Sequence, residues 1–239
     1  MLAPAASVAD NGFDDTFDGS GAMKARWTLY DDTSNMTVTQ AGGRYHALVD
    51  DNTGDQQLWY LTDQARMDWM LLTFPFEVIA TNIGIGTVGD TQTANVPGVD
   101  THASPWQFCG VCVHVLTMAT VSYRLWTVGH RGGTHYTIES KNSLNGANNI
   151  ADGGADLCPL GRADIRLVGN ADSTITPFYR LPGDTTWLGS GAGMPDAGFQ
   201  SPEPFAATAN VGLLSYTFGL QSEPFVGTCD AWTVVSDGA

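Results

Sequence analysis

The feature that most constrains this chain is a two-residue period. Apolar and polar side chains alternate, or short apolar runs stand between turn residues, almost from end to end. No window of helical length sustains an apolar repeat of helical period. Strands are expected near 15–18, 26–30, 36–40, 45–49, 57–61, 68–73, 76–83, 107–115, 122–128, 134–140, 164–168, 174–180, 185–188, 211–218 and 231–235. With no helical crossovers between them, such strands must form antiparallel sheets packed face to face. Composition agrees. Of 25 acidic residues only Glu77, Glu139, Glu203 and Glu223 are glutamate, and Lys24 and Lys141 are the two lysines. A helical surface is usually built on Glu and Lys, whereas Asp, Gly and Pro favour turns, and the chain has 28 Gly and 11 Pro.

At 239 residues with 43% apolar content the chain can bury a large core as one domain over 1–239, with residues 1–12 as an extended N-terminal arm. Three connections, 86–105, 141–162 and 189–210, are long and rich in Gly, Asn, Asp, Ala and Pro. Loops of that length are functional or mobile, or serve as interface arms in a homo-oligomer. The formal net charge of −15 opposes nucleic acid and anionic membranes as partners, since both need Lys and Arg. The first fifteen residues contain no basic region and no apolar run long enough for a signal peptide or a membrane span. That fits a chain acting where it is made, one leaving by another route, or one recorded without its signal. Four cysteines (Cys109, Cys112, Cys158, Cys229) are too few for a disulfide scaffold, so the sequon at Asn35 carries little weight.

Two motifs imitate chemistry they cannot perform. In "QFCGVCVHV" the cysteines have C-x-x-C spacing, yet residues three apart on a strand point to opposite faces. Cys109 should join Val111, Val113 and Val115 on the core face, with Cys112, Phe108, Gly110 and His114 on the other. A zinc knuckle needs a turn and a second ligand pair, and a redox motif needs a helix N-terminus; the sequence offers neither. "GIGTVG" (84–89) fits a dinucleotide fingerprint but leads into "DTQTANVPG" and not into a helix that could receive a pyrophosphate.

The order of segments is more informative. "FDDTFDGS", "ARWTLYD", "FPFEVIATNIG", "WQFCGVCVHV", "YRLWTVGHRGG", "RADIRLVGNADSTITPFYRLPGDTTWLGSG", "NVGLLSYTFG" and "CDAWTVV" follow one another over nearly the whole chain. This succession resembles the concanavalin A-like lectin/glucanase jelly rolls, and most resembles their LamG-like, non-catalytic type. The resemblance implies an all-β sandwich of two antiparallel sheets with a concave face that often binds carbohydrate. It also implies a calcium ion tying the first strand to the last, with Asp18 and Asp230 at the matching ends; calcium takes six to eight oxygens, which Asp and turn carbonyls supply. β-Glucanases of this superfamily carry an E-x-D-x-E pattern, because a retaining glycosidase needs carboxyl groups about 5–5.5 Å apart. Here no two glutamates lie closer than twenty residues in sequence. The adjacent pairs Asp14/Asp15, Asp31/Asp32 and Asp50/Asp51 read as turn residues.

Sugar binding needs aromatic platforms with planar polar groups on one accessible face. On "SYRLWTVGH" the residues Arg124, Trp126, Val128 and His130 share a face. Trp106, Phe108 and His114 have the parity to lie beside them, and His135, Thr137 and Glu139 share a face on the next strand. Trp27, Trp187 and Trp232 read as core or edge-plugging residues. These features lead to a non-catalytic recognition or structural module, a bacteriophage capsid decoration or tail-associated protein on the virion surface, with glycans or other virion proteins as partners. The alternatives are a carbohydrate-binding module of a secreted protein, and a glycoside hydrolase or polysaccharide lyase lacking the usual Glu pair.

Overall fold

The alternation resolves into strands in a computed structural model that describes residues 12–30, 36–50, 58–59, 62–63, 66–87, 106–117, 120–131, 136–144, 147–154, 157–197, 205–218 and 224–238. One antiparallel sheet has seven strands in the order β1 (Thr28–Tyr30), β6 (Met67–Thr73), β15 (Thr208–Phe218), β8 (Trp106–Thr117), β9 (Thr120–Arg131), β10 (Tyr136–Leu144) and β11 (Ala147–Asp152). The other has eight: β14 (Leu188–Gly189), β13 (Ile175–Arg180), β12 (Arg162–Gly169), β7 (Phe76–Thr87), β16 (Phe225–Cys229), β3 (Tyr45–Val49) and β2 (Met36–Gln40), with β17 (Ala231–Asp237) also on β7. A small hairpin, β4 (Leu58–Trp59) with β5 (Thr62–Asp63), stands apart. The helical content of the described residues is one 3-10 turn, Ser190–Ala192.

The core lies between the two sheets, and strand parity builds it. Cys109, Val111, Val113, Trp126, Val128 and Ile138 face Val78, Ala80, Ile83, Ile165, Leu167 and Phe225 across the interlayer. The N-terminal segment closes the rim: Asp15 exchanges two 2.8 Å backbone hydrogen bonds with Trp232, and Phe17, Trp27, Tyr45 and Trp232 pack there ring against ring.

Most expected strands are present, with instructive differences. Residues 15–18 contribute only the Asp15–Trp232 bridge. Three strands arise where none was expected, the two-residue β5 and two longer ones. The edge strand β11, inside the expected long connection 141–162, is Asn-rich and half-exposed, so its composition argues against a strand. The other is β16, buried at all five positions, which removes the alternation by which a strand is recognised. The expected arm 1–12, save Gly12, lies outside the described residues, as does most of 86–105.

Candidate functional site

Pairing fixes which side chains of the seven-stranded sheet meet. β8 aligns with β9 so that Val111 faces Trp126, Val113 faces Arg124 and Cys112 faces Leu125. The thiols therefore part as expected: Cys109 enters the interlayer core and Cys112 the outer cluster. All four cysteines are free and buried, and burial pushes the Cys109 and Cys158 thiols up to about 12. They are packing groups, not reactive ones.

The same register separates the expected sugar-binding residues. Trp126 and His130 are fully buried on the inner face, where Trp126 fills the core and His130 packs against Tyr136 at 5.8 Å. Arg124, on that face, bonds the Ile175 carbonyl at 3.2 Å, ion-pairs with Asp196 and lies 4.7 Å over the Trp126 ring. It links the two layers. Trp106 and His114 occupy the opposite, outer face, so the expected juxtaposition of Trp106 and His114 with Arg124, Trp126 and His130 does not form. Residues of one parity on adjacent strands share a face only if the pairing matches odd with odd; here Val111 meets Trp126, odd with even.

The outer face is built by strands far apart in sequence. β15 runs between β6 and β8, which sets Tyr216 beside Phe108, Leu214 beside Gly110 and Gly212 between Trp69 and Cys112. Phe108 and Tyr216 stack at 5.1 Å. Gly212, Gly110 and Gly129 descend diagonally over β15, β8 and β9. A Cβ on Gly212 would stand 2.0 Å from the Asp68 carbonyl oxygen, and one on Gly110 2.2 Å from that of Trp126. The floor along this diagonal is bare backbone. Around it Met67, Phe108, Cys112, Tyr123, Leu125, Leu214 and Tyr216 form a second buried cluster, with Tyr30, Trp69 and Trp106 half-buried at its rim. Two aromatic ends result. At one, Trp106 meets the exposed Phe218 at 5.8 Å; at the other, Trp69 and Tyr30 flank His114.

Polar chemistry sits on β10. Its outward side chains include Glu139, Lys141 and Ser143. Tyr216 donates its hydroxyl hydrogen to Glu139 Oε1, and Lys141 Nζ lies 3.0 Å from the same oxygen. The ammonium also stands 4.3 Å from the Tyr216 ring centre and 5.2 Å from that of Trp106. Burial, then the Glu139 charge, push the Tyr216 phenol well above its ordinary range, so it remains a donor. The carboxylate paired across from Glu139 is Asp152, which accepts from the Thr137 hydroxyl and the Gly154 N–H, each at 2.9 Å. Sequence reasoning missed Lys141, Tyr216 and Trp69. Outward parity was readable for each; which strands flank β8 was not.

The calcium expectation meets a different arrangement. Lys24 Nζ lies 2.6 Å from both Asp15 Oδ1 and Asp18 Oδ1, and its hydrogen bond holds the Asp18 carboxyl below its usual range. Asp15 also accepts from the Trp27 indole and the Phe17 N–H, each at 2.8 Å. Asp230 stands where the chain passes from β16 to β17, and accepts from Arg44 Nε at 2.7 Å and Asn82 Nδ2 at 2.8 Å. Each aspartate thus has its own cation from the chain. Among the described residues no three His, Cys, Asp or Glu side chains converge as metal ligands. The donor set does not fit calcium.

No protein-family model matches the chain, and no curated protein does. Solved structures share its fold. A functionally unknown protein from Saccharomyces cerevisiae aligns with a TM-score of 0.58 and 13% identity, over 88% of this chain and 96% of that one. A pseudo β-1,3-glucanase of Mycobacterium tuberculosis aligns at 0.52 and 10%, over 93% and 97%. The CBM2 module of the evolved Dit of Lactobacillus casei BL23 phage J-1 aligns at 0.51 and 10%, over 94% and 96%. The fold is the concanavalin A-like jelly-roll sandwich. Identities this low carry the fold alone.

Proposed function

We propose that this chain is a non-catalytic glycan-recognition jelly roll whose site is the outer face of the seven-stranded sheet. The observation that carries the reading is the pair of aromatic ends, Trp106 with Phe218 and Trp69 with Tyr30, set on either side of a floor whose polar groups already bond one another. Aromatic platforms with a few fixed polar groups are what a sugar face requires. Catalysis is disfavoured by how the carboxylates are engaged: Glu139 is held by Tyr216 and Lys141, and Asp152 by Thr137 and Gly154. A retaining hydrolase would need one free nucleophile and one acid about 5–5.5 Å apart. Likeness to a phage carbohydrate-binding module and to a pseudo-glucanase supports the same reading, and the phage module favours a virion surface as the setting.

A glycan array, run with calcium and again with chelator, tests this directly. Binding that is unchanged by chelator and lost in Trp106→Ala is the expected result. An array on which no glycan is retained, or the release of reducing ends from a bound polysaccharide, would refute it.

A further inference from the structure

The edges of the two sheets are guarded unequally. An open edge strand offers its N–H and C=O groups to any other strand, and proteins blunt such edges with short strands, bulges, charges or covering segments. β1 has three residues and β14 has two. At β2, Gly21 exchanges backbone hydrogen bonds with Gln40 at 2.7 and 2.9 Å. β17 is met by Asp15, and the Asp14 carboxylate accepts the Val234 N–H at 2.7 Å. β11 has none of these devices. Its six residues pair with β10 without a bulge, contain no Pro, Lys or Arg, and have no further strand beside them among the described residues. Ala147, Asn149 and Ile150 are exposed, Ile150 by 40%.

One bond tells which way the backbone of β11 turns. Gly153 N donates to the Ile138 carbonyl at 3.0 Å, and along an antiparallel ladder bonded and non-bonded pairs alternate. Ala151 and Asn149 therefore turn their backbone groups toward β10, and Ile150 between them turns its N–H and C=O to the open edge. Ile150 is the register partner of Lys141, which puts its side chain on the outer face of the seven-stranded sheet.

We infer that β11 is a homodimer interface, pairing antiparallel with β11 of a second copy about a twofold axis through Ile150. In that register the strand complements itself. Ile150 meets the partner's Ile150 and loses its exposure, while Asn148 comes opposite the partner's Asp152, an amide against a carboxylate. Moving the axis to Asp152 would instead set two like charges face to face, which destabilises a strand pair. Residues 142–151 carry no charge, so two chains of net charge −15 can approach each other here. The axis stands normal to the sheet, so both seven-stranded sheets join into one and their outer faces point the same way. This interface goes beyond the glycan-recognition reading and does not depend on it; where both hold, the dimer binds through two faces at once.

Sedimentation velocity on the full chain, with no glycan present, tests the interface. One strand on each side makes a small contact, so a reversible monomer–dimer equilibrium at about 10–100 μM is expected. Added salt should tighten it by screening the net charge. Ile150→Lys sets a guard charge at the axis and should weaken association about tenfold or more. Val235→Lys, at an exposed apolar position of the other sheet, should leave it unchanged. Asn148→Lys, facing the partner's Asp152, should tighten the dimer, and Asn148→Asp should loosen it. Each variant should keep the circular dichroism of wild type, and if Ile150→Lys does not, the two Asn148 variants decide. A chain still monomeric at about 1 mM overturns the interface, as do a dimer indifferent to Ile150→Lys, Asn148 variants that act alike, or growth beyond the dimer. If no glycan binds on the array but Ile150→Lys breaks a dimer, the recognition reading falls and the interface stands. If glycans bind and the chain stays monomeric, only the interface falls.

Discussion

The outer faces of the two sheets are built on opposite plans. On the eight-stranded sheet, Glu77, Asp164, Arg166 and Arg180 point outward, half-buried. Arg166 forms a two-pronged pair with Glu77 at 2.8 and 3.1 Å, and Arg180 bonds Asp164 at 2.6 Å. Their guanidiniums lie over Phe178 and Trp187, which places Trp187 on this surface and not in the core. Each of these four charged groups has a partner and is partly open to solvent. On the seven-stranded sheet the outward residues are buried aromatics and aliphatics, a locked Glu139–Lys141–Tyr216 set, and His114 and Trp69 with nothing to bond. A face that only has to dissolve satisfies itself. The other face leaves the ring nitrogens of His114 and Trp69 buried without a hydrogen-bond partner.

Breaking this contrast should cost most where both faces depend on one layer. Trp126→Ala empties the core beneath the site, and should lower unfolding free energy by about 3–5 kcal/mol in urea titrations. If that loss is below about 1 kcal/mol, the assignment of Trp126 to the interlayer is wrong. Tyr216→Phe, on the seven-stranded sheet's outer face, removes one of the two donors to buried Glu139, leaving Lys141, and should cost about 1–3 kcal/mol.

The pH response sharpens the comparison. The His114 pKa is depressed in the folded state relative to about 6.5 unfolded, so the native protein resists a proton that the unfolded chain accepts. Its contribution is complete above about pH 6.5 and is lost as pH falls toward 3, by up to about 1.4 kcal/mol per unit. Between pH 6.5 and 5, before most carboxylates titrate, His114→Leu should visibly flatten the stability curve; identical slopes would count against a buried neutral imidazole. The smallest effect belongs to the solvent-facing sheet. Glu77→Ala should change stability by no more than about 1 kcal/mol, since both partners of its ion pair are about a quarter exposed.

These same two plans explain what was legible beforehand. On the solvent-facing sheet, β12 and β13 alternate buried with half-buried residues, and both were readable as strands. β8 was readable too, and so was the parity that divides Cys109 from Cys112, because parity is local. What could not be read was the register that turned Trp126 and Arg124 inward while His114 and Trp106 face outward. Nor could the sequence show that β15 and β6, from distant segments, carry Tyr216 and Trp69 to the site. Asp230 lay at the end of the last strand as expected, but its partners, Arg44 and Asn82, are set by a junction no local pattern describes.

That junction has a consequence in time. β7 holds the middle of the eight-stranded sheet, and on one side its partners are β16 and β17, the final strands of the described chain. During synthesis β7 emerges early and must wait for almost everything else before that side is paired. Until then a row of unbonded N–H and C=O groups, beside apolar residues such as Val78 and Ile85, is open to any other extended segment. Folding dominated by such distant pairings is slow. The yield of soluble protein should therefore depend on how quickly the last strands follow, and chains stalled before residue 225 should be the ones that aggregate.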